Sequence, residues 1–253
     1  MVGVDKNAGM NDILLTIATL LTSLLSGVLG MGGGMILMGV FGFMLSVQSA
    51  MVLHGVAQAF SNGSRIWLHR RHIRLKVLAP YAVGAAIVLG VFVKLSFVPH
   101  KGVMFLLVGI FPLIALVLPD SLQLHIEKRP VAFACGLIVT LIQMLAGASG
   151  PVLNMFYLNS DLTRHEVLAS KAVTQTLGHV VKLVYYAFFI SLPVDLPWYI
   201  YPVVIAAAIA GNWLGKHIVE RLHDEQFRRY GRGVMAAIAA VYVVKGIFEL
   251  SKQ

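Results

Sequence analysis

The sequence predicts an all-α polytopic membrane protein of two inverted repeats, each a glycine-broken re-entrant hairpin followed by three transmembrane helices. Three observations predict it. The composition is apolar and poor in charge, two half-length apolar runs each follow a glycine cluster, and matching features recur at a constant offset of 117 residues.

Of the 253 residues, 58% are hydrophobic and 12% charged, and the mean hydropathy is +0.82. Soluble domains are about 45–50% apolar and about 25% charged, so both values point to lipid. At about 20 apolar residues per crossing, the length holds about eight or nine spans. Residues 1–253 are therefore expected to form a single transmembrane domain with no soluble domain attached. The net charge of +9 would suggest nucleic acid in a soluble protein. Here the basic residues lie between apolar runs, where the charge bias of membrane loops accounts for them. The bilayer, not nucleic acid, is the expected partner. Cys135 stands alone in an apolar run, which excludes a disulfide framework or a cysteine metal cluster. Lys6 and Ile13–Leu25 have the outline of a signal peptide, but no small-x-small cleavage site follows, and the segment is expected to be retained.

The apolar runs are about 12–29, 35–45, 47–68, 77–97, 102–118, 130–146, 151–158, 165–192, 197–215 and 230–250. Six are long enough to cross a bilayer. The runs 35–45 and 151–158 reach about half its depth at ~1.5 Å per residue. The first follows Gly30-Met31-Gly32-Gly33-Gly34 and the second follows Gly147-Ala148-Ser149-Gly150-Pro151. The 117-residue offset pairs Gly30 with Gly147, Gly33 with Gly150, Leu45 with Leu162, Ser46 with Thr163, Gln58 with Gln175, Arg65 with Lys182 and Pro80 with Pro197. Two repeats, 12–118 and 130–250, are expected, joined by a charged linker at Gln123–Arg129.

Loop charge sets orientation. The loop from Arg65 to Lys76 carries Arg65, Arg70, Arg71, Arg74 and Lys76 and is expected in the cytoplasm; its counterpart Ser191–Pro197 has Asp195 and no Lys or Arg. At the next loop the pattern reverses. Phe97–His100 is weakly charged, whereas Lys216–Arg232 carries Lys216, Arg221, Arg228, Arg229 and Arg232. Equivalent loops on opposite faces require inverted halves with an odd number of crossings each. Hairpins at 12–45 and 130–160 plus three spans per half meet that requirement, the first hairpin entering from outside and the second from the cytoplasm. Four full spans per half in parallel orientation would leave one strongly basic loop outside.

A glycine break inside a bilayer exposes backbone amides that need burial in protein or contact with water. Half-helices starting near Gly34 and Pro151 would turn free amides and the positive dipole end toward the midplane, which suits an anion. Gly32, Gly33, Gly34, Ser149 and Gly150 are the candidate residues, with Ser149 adding a hydroxyl. The alternative is that the glycines only permit tight helix packing. The following helices carry polar faces, His54, Gln58, Asn62 (or Ser61) and Arg65 on one and Lys171, Gln175, His179 and Lys182 on the other. Spacings of three and four keep each set on one face, and polar side chains within spans usually line a pathway. Nearly all are cations or neutral donors, and the nearest acid, Glu166, lies at a helix entrance. Buried cations without acids need an external anion, or must be deprotonated or reach water. Arg65 and Lys182 could instead snorkel from helix ends, the histidines could be satisfied by carbonyls, and the glutamines could be interhelical glue. Trp67, Trp198, Tyr199 and Tyr201 fit an interfacial belt. Asn62-Gly63-Ser64 matches a glycosylation sequon but falls inside a helix. Paired carboxylates, a metal-ligand cluster and a dinucleotide fingerprint are absent from the sequence, so neither an enzyme, a cofactor nor a metal is expected.

Ser26-Gly27-Val28-Leu29-Gly30-Met31-Gly32-Gly33-Gly34, the Gln58–Arg65 helix and the repeat Gly147–Pro151 together resemble the TauE/SafE sulfite-exporter family of membrane permeases. The resemblance covers nearly the whole chain. It departs at Met35–Gly39, where many members carry a proline. It implies a multi-pass protein of the cytoplasmic (inner) membrane that moves small anions such as sulfite or sulfonates. The leading expectation is a secondary carrier whose substrate binds Gly32, Gly33, Gly34, His54, Gln58, Asn62, Ser149, Gly150, Lys171, Gln175 and His179. An anion channel and a membrane enzyme acting on lipid head groups are the alternatives, and association as a homodimer is considered.

Overall fold

The structure is a computed structural model that describes residues 6–29, 32–117, 124–158, 160–191, 193, 196–219 and 224–252. Gly30, Met31, Gln123, Asp195 and Arg221, used above for the first break, the linker and the loop charges, lie outside the described residues, as do the side chains of Lys216, Arg228, Arg229 and Arg232. Among the described residues the fold is all helical. Its helices are α1 (Lys6–Leu29), α2 (Gly33–Met44), α3 (Val47–His69), α4 (Leu75–Leu95), α5 (Lys101–Val117), α6 (Arg129–Ala146), α7 (Gly150–Leu158), α8 (Arg164–Val184), α9 (Ile200–Val219) and α10 (Asp224–Leu250). A 3-10 turn, Arg70–His72, follows α3, and a π turn, Tyr185–Ile190, continues α8. Both glycine clusters interrupt the chain where expected, so that α2 and α7 start 117 residues apart, as do α3 and α8.

Local chemistry fixes these boundaries. Gly32 (φ 88°) and Gly147 (φ 78°) adopt the left-handed region that glycine enters without penalty. Gly147 ends α6 there, its amide bonding to the Gln143 carbonyl at 2.9 Å. The Ser46 hydroxyl accepts from the Ser49 amide at 3.2 Å at the start of α3. Thr163 and Glu166 form a reciprocal capping box at the start of α8. Proline at the second position of α7 removes an amide that no helical carbonyl could have bonded.

Three of the described helices are long and apolar enough to cross a membrane: Gly9–Gly27 of α1, Leu75–Leu95 and Arg129–Ala146. The lengths of the apolar runs suggest six. The helices α3 and α8 have the length but carry the polar faces, which lower their mean hydropathy, and α9 and α10 are described only in part.

The packing pairs α1 with α9, α4 with α6, α5 with α10 and α3 with α8. Glycines set these crossings. A Cβ on Gly211 would lie 2.4 Å from the Leu20 carbonyl oxygen, one on Gly136 would lie 2.1 Å from that of Tyr81, and one on Gly109 would lie 2.6 Å from that of Ala239. Backbones approach this closely where small residues replace side-chain interdigitation. The helices α3 and α8 run antiparallel, since Gln48 meets Ser191, His54 meets Lys182 and His69 meets His165. So do α5 and α10, where Gly102 faces Leu250 and Gly109 faces Ala239.

The outside of this bundle is apolar and the inside is partly polar. Ile13, Ile17, Leu21, Val83, Ile87, Val91, Val244 and Ile247 are exposed, whereas His54, Gln58, Asn62, Gln143, Lys171, His179 and Lys182 are buried. This reverses the distribution of a water-soluble protein. Trp67 and Trp198 are among the most exposed side chains, as belt residues would be.

Candidate functional site

The antiparallel pair α3·α8 forms the spine of the site, and the breaks before α2 and α7 meet its polar faces. Between them lies a cavity of ≈ 30 Å³, room for about two waters. Its lining includes Gly32 and Gly34 of the first break and Ser149, Gly150 and Pro151 of the second. His54 and Gln58 come from α3, and Gln175 and His179 from α8.

The two glutamines hold equivalent places. A Cβ on Gly34 would lie 3.0 Å from Gln58 Oε1, and one on Gly150 would lie 3.4 Å from Gln175 Nε2. Each carboxamide therefore sits over the first turn of a short helix, where glycine leaves space for it. Helical geometry leaves the first amides of α2 without intrahelical acceptors, and no side chain caps them at Gly32. Gln58 is 4% exposed, and its Nε2 has no acceptor among the described residues.

A chain of hydrogen bonds ties the two breaks together. His54 Nε2 lies 2.7 Å from the Gly34 carbonyl, which can only accept, so the ring proton is on Nε2 and Nδ1 accepts. Lys182 supplies that donor at 3.0 Å and also donates to the Gly147 carbonyl at 2.9 Å. Gln143, in the last turn of α6, donates to the same carbonyl at 3.0 Å and to His179 Nδ1 at 2.8 Å. Its Oε1 accepts from the Ser149 hydroxyl at 2.5 Å. The Ser149 proton, expected from the sequence to face the substrate, is thus directed at Gln143. The rings of His54 and His179 meet edge to face, 5.3 Å between centroids.

Three of the expected residues lie off the cavity lining. Gly33 packs against α1, where a Cβ would lie 2.0 Å from the Thr22 carbonyl oxygen; at this glycine, close packing is the role. Asn62 Nδ2 donates to the Gln58 carbonyl at 2.9 Å. Lys171 Nζ donates to Asn154 Oδ1 at 2.7 Å. Conversely, Ser26, Met35, Arg65, Gln143, Ala148 and Pro151 line the cavity without having been assigned to it from the sequence. The offset that pairs the glutamines also pairs Ser26 with Gln143, one turn before each break, and that was the available signal.

The two ends of the α3·α8 pair are closed differently. At one end Gln48 Nε2 donates to the Ser191 carbonyl and, at 2.8 Å, to its hydroxyl. At the other, Arg74 pairs with Glu166 and its amide donates to Ser170 Oγ at 3.1 Å. The Thr163 amide bonded to the Glu166 carboxylate, and then Arg74, hold its pKa below the usual carboxylate value.

Helices that turn apolar side chains outward and gather amides, carboxamides and one guanidinium around a small internal cavity define a multi-pass membrane protein. The chain belongs to the sulfite exporter TauE/SafE family, whose family model matches residues 15–242. Its members are transporters and not enzymes. Comparison with curated proteins and with solved structures gives no match.

Proposed function

We propose that the protein is a secondary carrier for a small sulfur oxyanion, sulfite or a compact sulfonate, across the cytoplasmic membrane. The observation that carries this reading is the facing pair Gln58 and Gln175, each set over the first turn of a broken helix around one small cavity. Uncapped amides and dipole ends favour negative charge, and the cations of α3 and α8 have no acid among the described cavity-lining residues. Gly32, Gly34, Ser149, Gly150, His54 and His179 would complete the shell. Gly33, Asn62 and Lys171 would support it from behind.

In this reading residues 12–118 and 130–250 are inverted repeats, each a re-entrant hairpin plus three spans. The antiparallel course of the equivalent pairs α3·α8 and α5·α10 supports it, as does the exchange of α1·α9 for α6·α4. Rocking of one repeat against the other would then open the site to each side in turn. Cysteines placed in Arg70–Arg74 and in Ser191–Pro197 should label from opposite faces of sealed cells, and labelling from a common face would refute the inversion.

Radiolabelled sulfite uptake into proteoliposomes tests the site. Gln58→Ala and Gln175→Ala should each lower uptake about tenfold or more, the scale of one hydrogen bond to a charged group at ~1.5–3 kcal/mol, with unchanged protein in the vesicles. Wild-type uptake by both variants would remove the glutamines from the site. Uptake that fails to saturate would favour a pore over a carrier.

A further inference from the structure

The repeat places Arg65 and Lys182 at equivalent positions, and the two side chains have taken different tasks. Lys182 is fully buried and committed, donating to His54 and to Gly147, and it does not line the cavity. Arg65 does line it, and it is the sole Lys or Arg among the described lining residues. Its Nε is buried without an acceptor, and no hydrogen bond or ion pair engages the side chain among the described residues. On the same helix, Gln58 Nε2 is the second buried donor without an acceptor in this cavity.

A buried donor without an acceptor costs free energy that an incoming acceptor would recover. A guanidinium differs from an ammonium in offering two parallel N–H groups, which fit two oxygens on one atom. We propose that Arg65 is the residue that takes the charge of the anion, gripping two of its oxygens in bidentate fashion while Gln58 Nε2 donates to the same head group. The carrier reading above is the basis of this assignment. It deepens that reading in a definite direction. Oxyanions with two or more oxygens on one atom are selected, and halides of similar charge are not. Lys182 is the fixed counterpart, holding the two breaks in register and not touching the substrate.

The test is thermal unfolding of the purified protein in detergent, with and without sodium sulfite, sodium methanesulfonate or sodium chloride at matched ionic strength. Sulfite should stabilise the wild type and chloride should not, because a ligand that binds only the folded state raises its midpoint. Arg65→Gln should lose the sulfite response. Arg65→Lys should keep a response with affinity at least about tenfold weaker, because charge remains and the fork is lost. Arg65→Gln that still responds to sulfite like the wild type would overturn the assignment while leaving the carrier standing. If no anion stabilises the wild type, both fall. Should Arg65→Gln fail to fold, Arg65→Lys decides the matter: unchanged sulfite affinity overturns the proposal and weakened affinity with an unchanged ligand-free midpoint supports it.

Discussion

Gly34→Ala is expected to give a folded protein that no longer transports, and Gly33→Ala, one residue earlier, is expected not to fold. A Cβ on Gly34 would lie 3.0 Å from Gln58 Oε1 and 3.2 Å from its Cδ. Those atoms end a flexible side chain that can rotate away, but the open direction is the cavity of ≈ 30 Å³. The methyl group and the displaced carboxamide together would fill the space an anion needs. A Cβ on Gly33 would meet the Thr22 carbonyl oxygen at 2.0 Å and Ser26 Oγ at 2.2 Å. The first of these is helix backbone that cannot rotate, so α2 would have to leave α1. One surplus methyl in a packed core costs ~1–3 kcal/mol, and an overlap with backbone this deep exceeds that range. Size-exclusion profiles and vesicle uptake of the two variants decide the point. A monodisperse Gly33→Ala with the wild-type melting temperature, or a Gly34→Ala with wild-type uptake, would show the division of labour to be wrong.

Gln143→Leu should lower the melting temperature more than any conservative change at Gln175. The leucine is close in size, so the loss is one of hydrogen bonds. The Ser149 hydroxyl and His179 Nδ1 would lose their partner, whereas the Gly147 carbonyl would keep Lys182. Two orphaned buried groups at ~1–3 kcal/mol each correspond to a fall on the order of 10 °C in a chain of this size. Gln175→Leu removes no hydrogen bond of this chain of contacts and should shift the midpoint little. Equal melting of Gln143→Leu and the wild type would mean that the Ser149–Gln143–His179 connection is not formed.

The skeleton of the fold could be read from the sequence because its signals are local. Gly32 and Gly147 break helices through their own backbone preference, and an apolar run ends where its residues end; hence α2, α3, α7 and α8 start within a residue or so of the expected positions. The Gln58–Gln175 pair was legible because the 117-residue offset marks it twice. What was not legible depended on neighbours. Three consecutive glycines look alike in sequence, yet one packs on α1, one adjoins Gln58 and one turns the chain. Gln143 is a single polar residue in an apolar run, and the groups that explain it, Ser149 and His179, come from other elements. Arg65 near a helix end could point to water or inward, and only the position of α8 and the breaks turns it to the cavity. Asn62 and Lys171 share the polar faces, but each is occupied by a neighbour, a carbonyl four residues back and Asn154.

The partnership of α1 with α9, and of α4 with α6, has a consequence for how the protein is made. The groove of α1 around Leu20, Leu24 and Gly27 is closed by Gly211 and Gly215, residues synthesised roughly 190 positions later. Until the ribosome has delivered them, the nascent chain holds a helix whose small-residue face is open to lipid. The amino-terminal half cannot reach its final arrangement alone. The packing of α1 must therefore wait for late insertion of α9.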